Sequence, residues 1–161
     1  MEIAPRLNSL RSEGDARAHA RRPLGALLLR DGLITAEQIE EALVEKDETG
    51  SRLGEILVSR GWIEPTALAR VLAEQHGLDF VDLNELEVDR SVAALLPEQY
   101  ARRYQALPVR FVSDGLVLVA VADPTNVLAS DDLRLALGLN VRVAVASAPA
   151  IGAGYPSRRS P

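Results

Sequence analysis

Apolar residues in this chain follow two rhythms, and the change falls near Gly77. Before it they recur three or four apart, as in Ile39, Ala42 and Leu43 or Leu68, Val71 and Leu72, the spacing of one helix face. After it come short runs and alternation. Leu107 to Val112 and Leu116 to Val121 flank Ser113-Asp114-Gly115, which predicts a β-hairpin. Val141 to Ala146 alternates as an edge or half-buried strand does, and Phe80 to Leu83 is a short strand-like piece. Ser91–Leu96 and Glu98–Arg103 predict one helix, or two broken at Pro97. Asp123-Pro124 ends the hairpin, Ser130 is placed to cap a helix with Asp131 and Asp132 in its first turn, and Gly138 ends that helix.

The helical part repeats itself. Leu24-Gly25 returns as Leu53-Gly54, 29 positions later, and Leu28 matches Leu57 and Gly32 matches Gly61 at the same offset. Ile34 and Ile63, Ile39 and Leu68, and Leu43 and Leu72 continue the register. Similar amphipathic hairpins would explain the apolar matches, but not both glycine pairs. In each copy a short helix (Pro23–Arg30, Arg52–Arg60) ends at a glycine able to take positive φ, and a longer helix follows. Thr35 and Gln38 have capping-box spacing, and Pro65 suits a first helical position. The predicted class is α+β: a helical subdomain of two helix-turn-helix units over 22–77, then a small α/β subdomain over 78–150. Residues 1–21 and 151–161 carry Pro, Gly, Ser and Arg without apolar periodicity, and read as a disordered tail and a flexible C-terminal tail.

Composition narrows the function. Of 161 residues 47% are hydrophobic but only 4% aromatic, so the core is aliphatic. There is no cysteine, which removes disulfides and thiolate chemistry. A net charge of −5 speaks against DNA or RNA as partner. No apolar run approaches the roughly 20 residues of a membrane span, and no secretory signal is visible, so a cytoplasmic protein without membrane insertion is expected. The single lysine, Lys46, lies between Glu45 and Asp47 and not in a Gly-Lys-Ser/Thr phosphate loop. His19 and His76 lack metal-ligand spacing, and the carboxylates from Glu37 to Glu48 read as a solvated helix face. The expectation is therefore no catalytic residue, no metal, no cofactor and no enzyme.

The second copy opens on Arg52-Leu53-Gly54 and closes on Gln75. An Arg fork and a Gln amide suit the edge of a guanine, and Gly54 would admit a flat base or a phosphate to the backbone. The same residues also fit a capped surface helix in which Arg52 pairs with Glu55.

The stretch RLGEILVSRGWIEPTALARVLAEQ, Arg52 to Gln75, resembles the 24-residue motif of the MshEN domain, the N-terminal module of type II secretion and type IV pilus ATPases. That family carries two such motifs five residues apart; here 23–46 and 52–75 flank Asp47–Ser51. LPVRFVSDGLVLVAVADPTNVLASDDLRLALG also resembles its second subdomain. The resemblance implies a cradle for cyclic di-GMP and no turnover, the motor ATPase domain being absent from this chain. It implies ligand contacts at Arg52, Leu53, Gly54, Leu57, Leu72 and Gln75, with Gly61 completing the second motif. In the first motif Leu24, Gly25 and Leu28 match, but Pro23 and Lys46 stand where Arg and Gln are expected. Arg22, one residue early, and Lys46 are the candidate substitutes. Each lost charge-assisted hydrogen bond costs about 1.5–3 kcal/mol, so two would weaken binding by roughly two to four powers of ten. The alternative implied by the resemblance is docking: to the cytoplasmic domain of an inner-membrane secretion or pilus protein, peripheral to that membrane, or to a separate motor ATPase.

Overall fold

A computed structural model of the chain describes residues 23–125 and 127–155. Arg22, the expected tail 1–21 and the segment 156–161 lie outside the described residues. The chain divides into two compact units, Met1–Leu78 and Asp79–Pro161. The first is helical and the second is built on a four-stranded sheet, which makes the class α+β.

The first unit contains α1 (Leu24–Arg30), α2 (Ala36–Thr49), α3 (Leu53–Ser59) and α4 (Pro65–His76). Helices α1 and α3 end alike. Gly32 and Gly61 take φ of 71° and 74°, which a residue with a Cβ adopts only under strain. Their N–H groups donate to Leu29 and Val58, and the next N–H, of Leu33 or Trp62, reaches back to Leu28 or Leu57 at 3.0 Å. That pair of bonds is the Schellman closure, and both copies make it. Helix α2 starts with the expected capping box. Gln38 N–H donates to Thr35 Oγ1 at 3.1 Å, and Thr35 N–H donates to the Gln38 side chain at 3.0 Å. Pro65 occupies the first turn of α4.

One core serves both copies. Leu27, Leu28, Ile34, Ile39 and Ala42 of the first copy meet Ile56, Leu57, Ile63 and Val71 of the second. Burial of each large aliphatic contributes roughly 1.5–3 kcal/mol, so the shared core stabilises both copies at once. The copies interlock: α1 packs on α4, and α2 packs on α3. One expectation fails within α2. Its buried pair is Ile39 and Ala42, whereas Leu43 is 43% exposed. Ile39 and Ala42 already lie in the shared core, and one more residue turns the chain through about 100°, carrying Leu43 outward.

In the second unit the strands are β1 (Asp79–Phe80), β2 (Ala106–Ser113), β3 (Leu116–Val121) and β4 (Asn140–Val145), in the order β1-β4-β3-β2. The hairpin β2–β3 is antiparallel, whereas β4 runs parallel to both β3 and β1. The strand expected at 141–146 as an edge or half-buried strand is thus interior to the sheet and half-buried, exposed at its start and buried at its end. The strand expected at 80–83 is reduced to Asp79–Phe80. Pro97 separates two helices, α5 (Arg90–Ala93) and α6 (Glu98–Tyr104), and Asp89 caps the first through Ser91 N–H at 3.0 Å. Its hydrogen bonds with Ser91 hold the Asp89 carboxyl below its usual pKa.

Two further expectations are corrected here. Helix α7 runs Val127–Leu137, so Ser130, Asp131 and Asp132 lie inside it and cap nothing. The Asp123 side chain accepts from Thr125 N–H at 3.0 Å, which turns the chain early enough for the helix to begin at Val127. Asp132 instead accepts from the Tyr104 hydroxyl, whose pKa is raised by that bond and by desolvation. The flexible tail expected from Ile151 also begins too early. Ala148–Gly154 forms α8, capped by Ser147, and Ile151 is buried in the core. Tyr155 then donates to the Ala101 carbonyl at 2.8 Å, an anchor outside the apolar periodicity.

Candidate functional site

The two Leu-Gly steps open helices α1 and α3, and the fold brings them together. A Cβ added at Gly25 would lie 3.8 Å from Leu53 Cδ2 and 3.3 Å from Ile39 Cδ1. At Gly54 it would lie 3.0 Å from Leu68 Cδ2. Ile39 and Leu68 are equivalent positions, so the repeat duplicates a contact: each glycine lets the long helix of its own copy close on the short one. The Cβ side of Gly54 is therefore filled by Leu68.

The expected ligand-contacting residues separate by burial. Leu28 and Leu57 are both 0% exposed and belong to the shared core. They shape the unit from within and offer no surface to a ligand. Leu24, Leu53, Leu72 and Gln75 are half-buried, and Lys46 and Arg52 are exposed. Gly61 terminates α3 with open space around it. Arg52 precedes α3, and Glu55 accepts from its backbone N–H at 3.3 Å. The Arg52 Nε lies 3.5 Å from the same carboxylate, the pairing that the surface-helix alternative expects. Such a long, exposed pair is weak. Lys46 and Gln75 occupy equivalent last-turn positions of α2 and α4.

Two ion pairs fall outside the expected set. Arg30, closing α1, reaches Glu74 on α4 at 2.7 Å; Arg60, closing α3, reaches Glu45 on α2 at 2.6 Å. Each ties a short helix to the long helix of the other copy. Asp31 first, then Glu74, hold the Arg30 guanidinium more firmly protonated than usual. The signal was present in the sequence: Glu45 and Glu74 are separated by the repeat offset. Their arginines are not, since Arg30 aligns with Ser59 and Arg60 with Asp31, and that hid the pattern. Arg60 also stacks over Trp62, 4.9 Å from the ring centre.

No group of three or more potential metal ligands occurs among the described residues. None of the described helices is long and apolar enough to cross a membrane.

Comparison with known proteins adds three results. The MshEN domain family model matches residues 76–154, on the second unit and beyond both motifs. The type IV pilus assembly ATPase PilB of Myxococcus xanthus is 36% identical over 124 residues, a stretch longer than either unit. That alignment covers 77% of this chain, which spans only 22% of the relative's length. Among solved structures, MshE with cdg (cyclic di-GMP) superimposes with a TM-score of 0.69 at 34% identity, covering 83% of this chain and 96% of that one. The N-terminal domain of XpsE does so with 0.64 at 26% identity, covering 83% and 92%.

Proposed function

Because the chain belongs to the MshEN domain family, we propose that it is a regulatory module that binds cyclic di-GMP without turning it over. The observation that carries this reading is the likeness to MshE with cdg across 96% of that chain. The geometry supports it. The shared core brings the Leu24-Gly25 and Leu53-Gly54 steps side by side, as a ligand held by both copies requires. The exposed polar groups are then Arg52 and Lys46, with half-buried Gln75, while Leu24, Leu53 and Leu72 supply apolar surface. Arg52 contributes a planar fork and positive charge to a dinucleotide that is itself anionic. Lys46 supplies a point charge where an amide would both donate and accept.

Isothermal calorimetry of the full chain with cyclic di-GMP tests this. Saturable heat is expected, weakened by Arg52→Ala on the order of tenfold to a hundredfold. No heat at high micromolar ligand overturns the sensor. Binding indifferent to Arg52→Ala removes the residue assignment alone.

The second reading is docking to an inner-membrane component of a pilus or secretion machine, which would place the protein at the cytoplasmic side of that membrane. It is favoured by Pro23 and Lys46 at the polar ends of the first motif, and by the exposed apolar residues of that copy. Capture of a platform protein by a chain that gives no heat with cyclic di-GMP is the result that selects it.

A further inference from the structure

Two surfaces, one in each unit, carry matching patterns of opposite charge. On α2, Glu40, Leu43, Val44 and Asp47 stand at i, i+3, i+4 and i+7, which is one helix face. Leu43 and Val44 are 43% and 58% exposed. Glu41 and Glu45 are engaged by Arg60, whereas no basic side chain among the described residues pairs with Glu40 or Asp47. The pattern along the helix is acid, apolar pair, acid, with the carboxylate positions about 10.5 Å apart.

In the second unit, Arg110 on β2 and Arg142 on β4 both stand opposite Leu118 on β3. Residues directly opposite one another share a sheet face. The row therefore reads base, apolar, base, with the arginines two strand spacings apart, about 9.6 Å. Both arginines are exposed, and no acid among the described residues pairs with either. Leu118 itself is buried in the core of its own unit, and half-buried Leu116 supplies the apolar surface further out on the same face.

We infer that these two faces are the halves of one self-association contact: the Glu40–Asp47 face of α2 docks on the Arg110–Leu118–Arg142 row of a second copy. Charge sign and charge spacing agree on both sides, and half-buried Leu116 lies on the arginine face where Leu43 and Val44 lie on the acidic one. The two faces are different parts of the chain, so the contact is head-to-tail and builds a chain or a ring instead of a closed two-fold dimer. One helix face on one sheet end buries too little surface for a permanent complex, so the association is transient and sensitive to salt.

Sedimentation equilibrium of the full chain at low ionic strength is the test, with circular dichroism to verify that each surface variant is folded. The weight-average mass should rise with concentration and fall back at molar salt. Glu40→Arg with Asp47→Arg should weaken association roughly a hundredfold or more, and so should Arg110→Glu with Arg142→Glu. An equimolar mixture of the two double variants should associate again, because each then offers the charge that the other lacks. A wild-type chain that stays monomeric at millimolar concentration leaves these faces to other proteins and overturns the proposal. Association that ignores the reversals, or a mixture that fails to recover it, overturns it equally.

Discussion

The copy at 23–46 and the copy at 52–75 occupy equivalent places around one core but present different surfaces. Leu28 and Leu57 are buried alike, and Gly25 and Gly54 make the same close approach to Ile39 and Leu68. Beyond the core the copies part. Arg52 and Gln75 mark the ends of one, Pro23 and Lys46 the ends of the other. Leu43 and Val44 are exposed in the first copy, whereas their counterparts Leu72 and Ala73 are half-buried and buried. Duplication thus preserved what packing demands and released what packing does not see. Function is to be sought in the divergent surface, and stability in the shared interior.

The largest expected effect tests the shared interior. Leu28→Ala and Leu57→Ala should each cost about 2–5 kcal/mol by urea denaturation. A loss below about 1 kcal/mol in only one of them would show that the core is not held equally by both copies. Next comes the divergent surface. Pro23→Arg with Lys46→Gln should tighten cyclic di-GMP binding by about 1.5–3 kcal/mol for each hydrogen bond regained, read by calorimetry against the wild-type chain. Unchanged affinity would mean that the first copy's ends do not face the ligand. Gly54→Val should destabilise by about 1–3 kcal/mol, and more than Gly25→Val, because its added carbons meet Leu68 at 3.0 Å instead of Ile39 at 3.3 Å. Equal losses in thermal unfolding would remove that distinction. The smallest effect belongs to the cross-copy ion pairs. Arg30→Gln and Arg60→Gln should each lower Tm slightly at low salt, and the difference should vanish in molar salt. A loss that persists in salt would mean that the arginine stems pack on the neighbouring helix.

Much of the architecture was legible because it rests on local rules. The glycines at 32 and 61, the Thr35–Gln38 box, Pro65 and the Asp114-Gly115 turn act through residues a few positions away, and the structure realises each of them. Ser130 misled because a serine followed by two aspartates satisfies the capping rule anywhere, and only the Asp123 turn decided where that helix begins. The candidate site was legible as a motif but not as a surface. Leu28 and Leu57 belong to the motif and are nevertheless sealed inside.

By itself the sequence determined the duplication, the helices and hairpin, and the asymmetry of the polar ends, because these depend on spacing and on side-chain chemistry. Only the tertiary structure decided that α2 turns Ala42 inward and Leu43 outward, that β4 lies inside its sheet, that Gly54 receives Leu68, and that Arg30 and Arg60 bridge the two copies. Those outcomes depend on which distant face each element meets. Periodicity reports that a helix has an apolar side, but the partner that closes on it sets which residues at its margin are covered.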